Sequence, residues 1–149
     1  MRFTFESTIP CTPERLFAFH ELPDALQRLT PPWEQTRILR PAASLRPGSR
    51  VIEEIRIAPF IWIRAEAVHT VHEPPFLFED EMVSGPFRRW RHRHAIAAEG
   101  DGARLTDSIE FEPPFGFLGR VFAPWLILPR LRRLFAWRHE VTRAWCMGE

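Results

Sequence analysis

Phe3 and Phe5 alternate with Arg2, Thr4 and Glu6, so the chain opens with a strand over residues 2–8 that has one apolar face. Thr12-Pro13-Glu14 then supplies a capping hydroxyl and a proline for the first helical position, and Leu16, Phe17 and His20 follow at helical spacing. A second short helix runs from Pro23 to Leu29 and stops at Thr30-Pro31-Pro32-Trp33, because a residue before proline is pushed out of the α region. From Gln35 to Pro113, strand-like stretches are separated by turn residues such as Arg46-Pro47-Gly48, Ala58-Pro59, Glu73-Pro74-Pro75, Ser84-Gly85-Pro86 and Gly100-Asp101-Gly102. They predict six strands, over 35–40, 50–57, 60–72, 76–84, 87–97 and 104–112, joined closely enough to make neighbours antiparallel. Leu118, Val121, Phe122, Trp125, Leu131, Leu134 and Phe135 then recur at helical spacing, predicting a long C-terminal helix that Pro124 and Pro129 kink or divide.

This order predicts an α+β fold: a seven-stranded curved antiparallel sheet, in chain order β-α-α-β6-α, wrapped on the terminal helix. If sheet twist holds the helix away from part of the apolar face, an internal cavity remains between them. A length of 149 residues suits one domain over 1–149, and 6 Trp with 13 Phe is too much apolar material for a disordered chain. Net charge +1 removes the electrostatic warrant for binding nucleic acid. All 20 basic residues are Arg, and Lys, Asn and Tyr are absent together, which points to codon bias and weakens any argument from arginine abundance. The longest uncharged apolar run, Val121 to Pro129, spans nine residues where a membrane-spanning helix needs about 20, so no integral membrane association is expected. The N-terminal residues alternate instead of running basic then apolar, which argues against a signal peptide. Cys11 and Cys146 match no metal or redox spacing and receive no role; the expected location is cytoplasmic, as a monomer or homodimer.

The candidate chemistry lies between Phe78 and Phe111. Trp90, His92, His94 and Ile96 share one face of a strand and Arg89, Arg91 and Arg93 the other; the arginines belong in water, so the histidines point inward. With a turn centred near Pro86, Met82 opposes Trp90, Asp80 opposes His92 and Phe78 opposes His94. A two-residue turn at Gly100-Asp101 pairs Leu105 with Ile96 and Asp107 with His94, and sets Ile109 beside His92. Asp80 thus reaches His92, and Asp107 reaches His94, inside a wall of Phe78, Met82, Trp90, Ile109 and Phe111. Such a strip is a register-pinning network, a contact surface for the polar end of an apolar guest, or both. His-x-His with two carboxylates is also able to hold zinc or iron, but a carboxylate beside each imidazole more often orients the ring, so neither metal nor cofactor is assigned. Acid–base catalysis by a His–Asp pair is open, although no nucleophile with an activating base is visible. Arg138 is a candidate inward partner for Asp80 or Asp107.

Phe78 and Asp80, then Gly85-Pro86-Phe87, then Trp90, His92 and His94, then Asp107 after a loosely fitting Thr106, and finally Pro113 form a series. It resembles a bacterial subgroup of the START-like superfamily, also called SRPBCC, which includes polyketide cyclases, lipid-transfer domains and birch-pollen-allergen-like proteins. The element order extends that resemblance over the whole chain. It implies a helix-grip fold with a cavity between sheet and helix, and no one activity. The expectation is binding or transport of a hydrophobic small molecule such as a lipid, quinone or polyketide-like compound. The alternative is a cyclase or dehydratase working by a His–Asp pair. Where relatives often carry tyrosine near the end of the last strand, this chain has Phe111, which removes a hydroxyl that some cyclase-like mechanisms need.

Overall fold

In the computed structural model, which describes residues 1–149, β1 (Arg2–Ile9) buries Phe3 and Ile9 and half-buries Phe5 and Ser7 on one face, the alternation its sequence dictates. α1 (Pro13–His20) starts where the Thr12 hydroxyl accepts from the Arg15 N–H at 3.2 Å, and α2 (Ala25–Arg28) is a single turn. The meander follows as β2 (Thr36–Arg40), β3 (Arg50–Ala58), β4 (Ile61–Glu73), β5 (Leu77–Ser84), β6 (Arg89–Glu99) and β7 (Gly102–Glu112). All pairings are antiparallel in one sheet of order β1-β7-β6-β5-β4-β3-β2, so the first strand closes onto the last. Gly100 takes φ of 55° at the first central position of the β6–β7 turn, a conformation glycine adopts without strain, and this turn sets the ladder behind it.

The C-terminal region divides into α3 (Gly116–Leu126) and α4 (Leu128–Met147), with the break at Ile127. Pro129 sits in the first turn of α4, where its missing N–H has no partner to lose. α4 buries Leu131, Phe135, His139, Thr142 and Cys146 along one stripe. α3 departs from the expected packing: Leu118, Phe122 and Trp125 are exposed and only Ala123 is buried, because this helix lies outside the sheet–helix interface. Apart from its contact with α3, α4 packs chiefly on β1 and α1 and does not pack directly against the inward faces of β3, β4 and β5. No helix is long and apolar enough to cross a membrane.

Phe3, Ile109, Phe111, Leu131 and Phe135 form one buried cluster, and Ile9, Leu16, Phe17, Phe78, Ile96 and Leu105 another. The second includes both Cys11 and Cys146, so residues from opposite ends of the chain meet there. Burial, and then the contact with the Cys11 sulfur, push the Cys146 thiol up to about 12. Phe135 touches the rings of Phe3 and His92 and is 1% exposed. Phe135→Ala is therefore expected to cost about 3–5 kcal/mol in urea denaturation; an unshifted midpoint would show that α4 does not seal this end of the sheet.

Candidate functional site

β6 lies inside the sheet with β5 and β7 as neighbours, and both ladders have the register that the turns predict. Asp80 stands opposite His92 and Phe78 opposite His94; on the other side Asp107 stands opposite His94, Ile109 opposite His92 and Phe111 opposite Trp90. The β5–β6 ladder ends at Glu81–Arg91, so Met82, expected opposite Trp90, lies beyond it and is paired instead with Ala67 of β4. On the outer face Arg91 donates to the buried Glu79 carboxylate at 2.7 and 3.0 Å, and Arg93 lies 3.2 Å from it. That ion-paired outer face is what turns the imidazoles inward.

The partners inside differ from the expected one-to-one pairing. Asp107, 3% exposed, lies among three imidazoles. Its Oδ1 is hydrogen-bonded to His92 Nε2 at 2.8 Å and its Oδ2 to His139 Nε2 at 2.7 Å. His94 Nδ1 lies 2.7 Å from Oδ1 but out of line for a hydrogen bond, an ion-pair contact. The Ser7 hydroxyl is hydrogen-bonded to the far nitrogen of His139. Asp80 Oδ2 is more distant, 3.8 Å from His92 Nδ1 and 3.6 Å from His94 Nε2. The His92 partner is thus Asp107, and Asp80 stands free of close hydrogen bonds.

Proton affinities follow these contacts. Burial favours a neutral His94, but the Asp107 charge and the contacts with Asp107 and Asp80 outweigh it and hold the ring up to about 9. His92 is pushed down by burial and by His94, against the pull of Asp107. Asp107 would be raised by burial, yet His94, His139 and His92 hold it well below the usual carboxylate range; Asp80 is lowered by His94 and His92 in the same way. His20, at the end of α1, is hydrogen-bonded through Nδ1 to the Leu16 carbonyl at 3.0 Å, and burial followed by His94 brings it down to about 4.

In front of this cluster lies a cavity of about 510 Å³, bounded by the sheet, the α1–α2 segment and α4. Phe78, Met82 and Trp90 contribute apolar wall, and Asp80, His92 and His94 face it. Asp107, Ile109 and Phe111 are not in the lining: Asp107 stands behind the imidazoles, and Ile109 and Phe111 pack with Phe3 and Leu131. Arg138 does line it, but its Nε donates to the Leu29 carbonyl at 3.1 Å and it forms no ion pair with Asp80 or Asp107. Burial lowers its proton affinity against the pull of Asp107 and Glu53, and Glu53 is itself raised by burial.

His20, His69, His139, Ser7 and Glu53 are not among the site residues that the sequence predicts. His139 falls four residues after Phe135 on the buried stripe of α4, and Ser7 is in phase with Phe3 and Phe5, so their inward direction was readable. Their meeting with Asp107 depends on packing between elements far apart in the chain. His69 stands opposite Asp80 on β4, and its buried Nδ1 has no hydrogen-bond partner, which costs about 1–3 kcal/mol if nothing fills the gap.

A family model described as polyketide cyclase / dehydrase and lipid transport matches residues 9–140. No curated protein sequence matches the chain. Among solved structures, TTHA0849 from Thermus thermophilus is similar over 97% of this chain and 98% of its own, with TM-score 0.71 and 18% identity. Ara h 8.0201 covers 100% and 99%, with TM-score 0.72 and 14% identity. A point mutant of Thalictrum flavum norcoclaurine synthase in complex with a transition-state analogue covers 99% and 94%, with TM-score 0.72 and 11% identity. At these identities the likeness establishes the fold, the helix-grip arrangement of a seven-stranded curved sheet around a long C-terminal helix.

The cluster sets a pH dependence of stability. His94 is faced by Asp107 of β7, Asp80 of β5, His92 of β6 and His20 of α1. Its ordinary value is 6.5 and its folded value about 9, so its stabilisation is complete below pH 6.5 and is lost as pH rises towards 9. That loss is on the order of 3 kcal/mol. His20, folded value about 4, binds its proton more readily when unfolded, so stability also falls as pH drops from 6.5 to 4. Denaturant midpoints measured in EDTA-containing buffer should therefore peak near pH 6.5, and His94→Asn should flatten the alkaline limb. A flat alkaline limb in the parent protein would show that the two carboxylates do not hold a proton on His94.

Proposed function

The chain belongs to the polyketide cyclase / dehydrase and lipid transport family, and from that premise we propose that it binds or carries a lipid, quinone or polyketide-like molecule in the cavity between the sheet and α4. Hydrophobic-ligand binding in general is what the family and its fold support. The carrying observation is the division of the cavity. Its volume, about 510 Å³, falls in the range of roughly 300–1,000 Å³ that small-molecule sites occupy. Its wall is apolar at Phe78, Met82, Phe87 and Trp90, while Asp80, His92, His94, His20 and Arg138 also face it. A guest with a hydrocarbon body and an oxygen-bearing end satisfies both parts: the body removes apolar wall from water, and the oxygens meet Arg138 as a donor. Asp107, Ile109 and Phe111 act from behind, holding the imidazoles and the strand that carries them.

Native mass spectrometry with N-phenyl-1-naphthylamine as probe tests this reading. One probe per chain is expected. Ala67→Phe, which places a ring in the cavity from β4, should weaken uptake about tenfold, the worth of roughly 1.4 kcal/mol of lost contact. No uptake by the parent protein would overturn the reading. So would uptake unaffected by Ala67→Phe, since the probe would then sit on the exposed apolar residues of α3.

A further inference from the structure

Asp107 holds both imidazoles from behind, through His92 Nε2 at 2.8 Å and His94 Nδ1 at 2.7 Å. Each ring is left with its other nitrogen turned to Asp80: His92 Nδ1 lies 3.8 Å and His94 Nε2 3.6 Å from Asp80 Oδ2. One nitrogen from each ring and one Asp80 oxygen fall within 4.8 Å of one another. Ligand atoms on one first-row metal ion, bound at about 2.0–2.2 Å, stand roughly 3–4 Å apart. The arrangement is therefore within a small side-chain adjustment of a coordination sphere.

Two further features point the same way. Metal-bound imidazoles characteristically give their second nitrogen to a carboxylate, which fixes the ring and raises its basicity; Asp107 does this for His92 and stands against the far nitrogen of His94, and is itself anchored by His139. His69, 8% exposed and directly across the ladder from Asp80, lines the same cavity with a buried Nδ1 that has no partner. A water or a guest oxygen on an ion beside Asp80 would supply one. Sequence spacing assigns one carboxylate to orient each ring; the fold gives both rings to Asp107, which frees Asp80 to act as a ligand.

We propose that Asp80, His92 and His94 form a three-ligand site for a divalent transition-metal ion of the zinc and iron(II) class, with its remaining coordination positions facing the cavity. Two imidazoles and one carboxylate select these ions over magnesium and calcium, which prefer oxygen alone. The site goes beyond ligand binding and stands without it, although an oxygen of a bound guest would reach the open positions.

The test uses the full chain without a histidine tag, stripped with EDTA and then titrated with zinc chloride and, separately, cobalt(II) chloride. Calorimetry and elemental analysis are expected to show one zinc per chain, and cobalt to give visible d–d bands without a thiolate charge-transfer band. Asp80→Asn should weaken zinc binding at least tenfold and abolish the cobalt spectrum, and Asp107→Asn should weaken it about 10–100-fold. Glu110→Gln, which alters a carboxylate on the outer face away from the cavity, should change nothing. Absence of zinc binding or of the cobalt bands in the parent chain overturns the proposal whether or not the variants fold. So does a thiolate band, which would place the ion on Cys11 and Cys146, or unchanged binding in Asp80→Asn. Loss of zinc binding with probe uptake intact sinks the metal site alone; loss of probe uptake with zinc bound sinks the guest reading alone.

Discussion

One buried carboxylate ties the sheet to its helix. Asp107 on β7 is satisfied only while His92 and His94 on β6 and His139 on α4 stand around it, and His139 in turn is held by Ser7 on β1. Removing a partner from a buried charge costs about 3–5 kcal/mol, and a one-residue slip of either ladder would turn that partner to the outer face. Register, the rotation of α4 and the direction of two imidazoles are therefore one coupled choice. Hydrophobic burial alone would tolerate several placements of α4 over an apolar sheet; this network tolerates one.

The same choice leaves the cavity. α4 is drawn towards β1 and α1, so the inward faces of β3, β4 and β5 are roofed instead by the α1–α2 segment and by the start of α4. Small or polar residues, including Ala65, Ala67, His69 and Glu53, stand there among the bulkier ones and leave room that a filled core would not. The polar cluster straddles the boundary between the packed half and the hollow half. Its rear is used up by Asp107, and its front, with Asp80, remains chemically available. The nitrogens that Asp107 holds are thus not the ones that face Asp80.

Much of this was legible in the residues. Alternation and turn chemistry placed all seven strands to within two residues at either end, since each depends on neighbours in the chain. The hairpin at Gly100-Asp101 and the turn at Pro86 were enough to put Asp80 and Asp107 on either side of the histidine pair, because register propagates from a tight turn. Periodicity failed for α3, whose apolar spacing implied burial although Leu118, Phe122 and Trp125 face outward. A hydrophobic stripe states that a surface is apolar, not what covers it.

By itself, then, the order of residues determined the elements, their antiparallel neighbours, the inward direction of His92 and His94 and the family to which the motifs point. Each is decided over a few residues or across one turn. Only the folded chain decided that Asp107 takes both imidazoles while Asp80 takes neither closely, and that His20, His69 and His139 join them from α1, β4 and α4. Those contacts join residues up to 132 positions apart, as with Ser7 and His139. They depend on side-chain rotation and on where helices settle over a twisted sheet, neither of which leaves a period in the sequence.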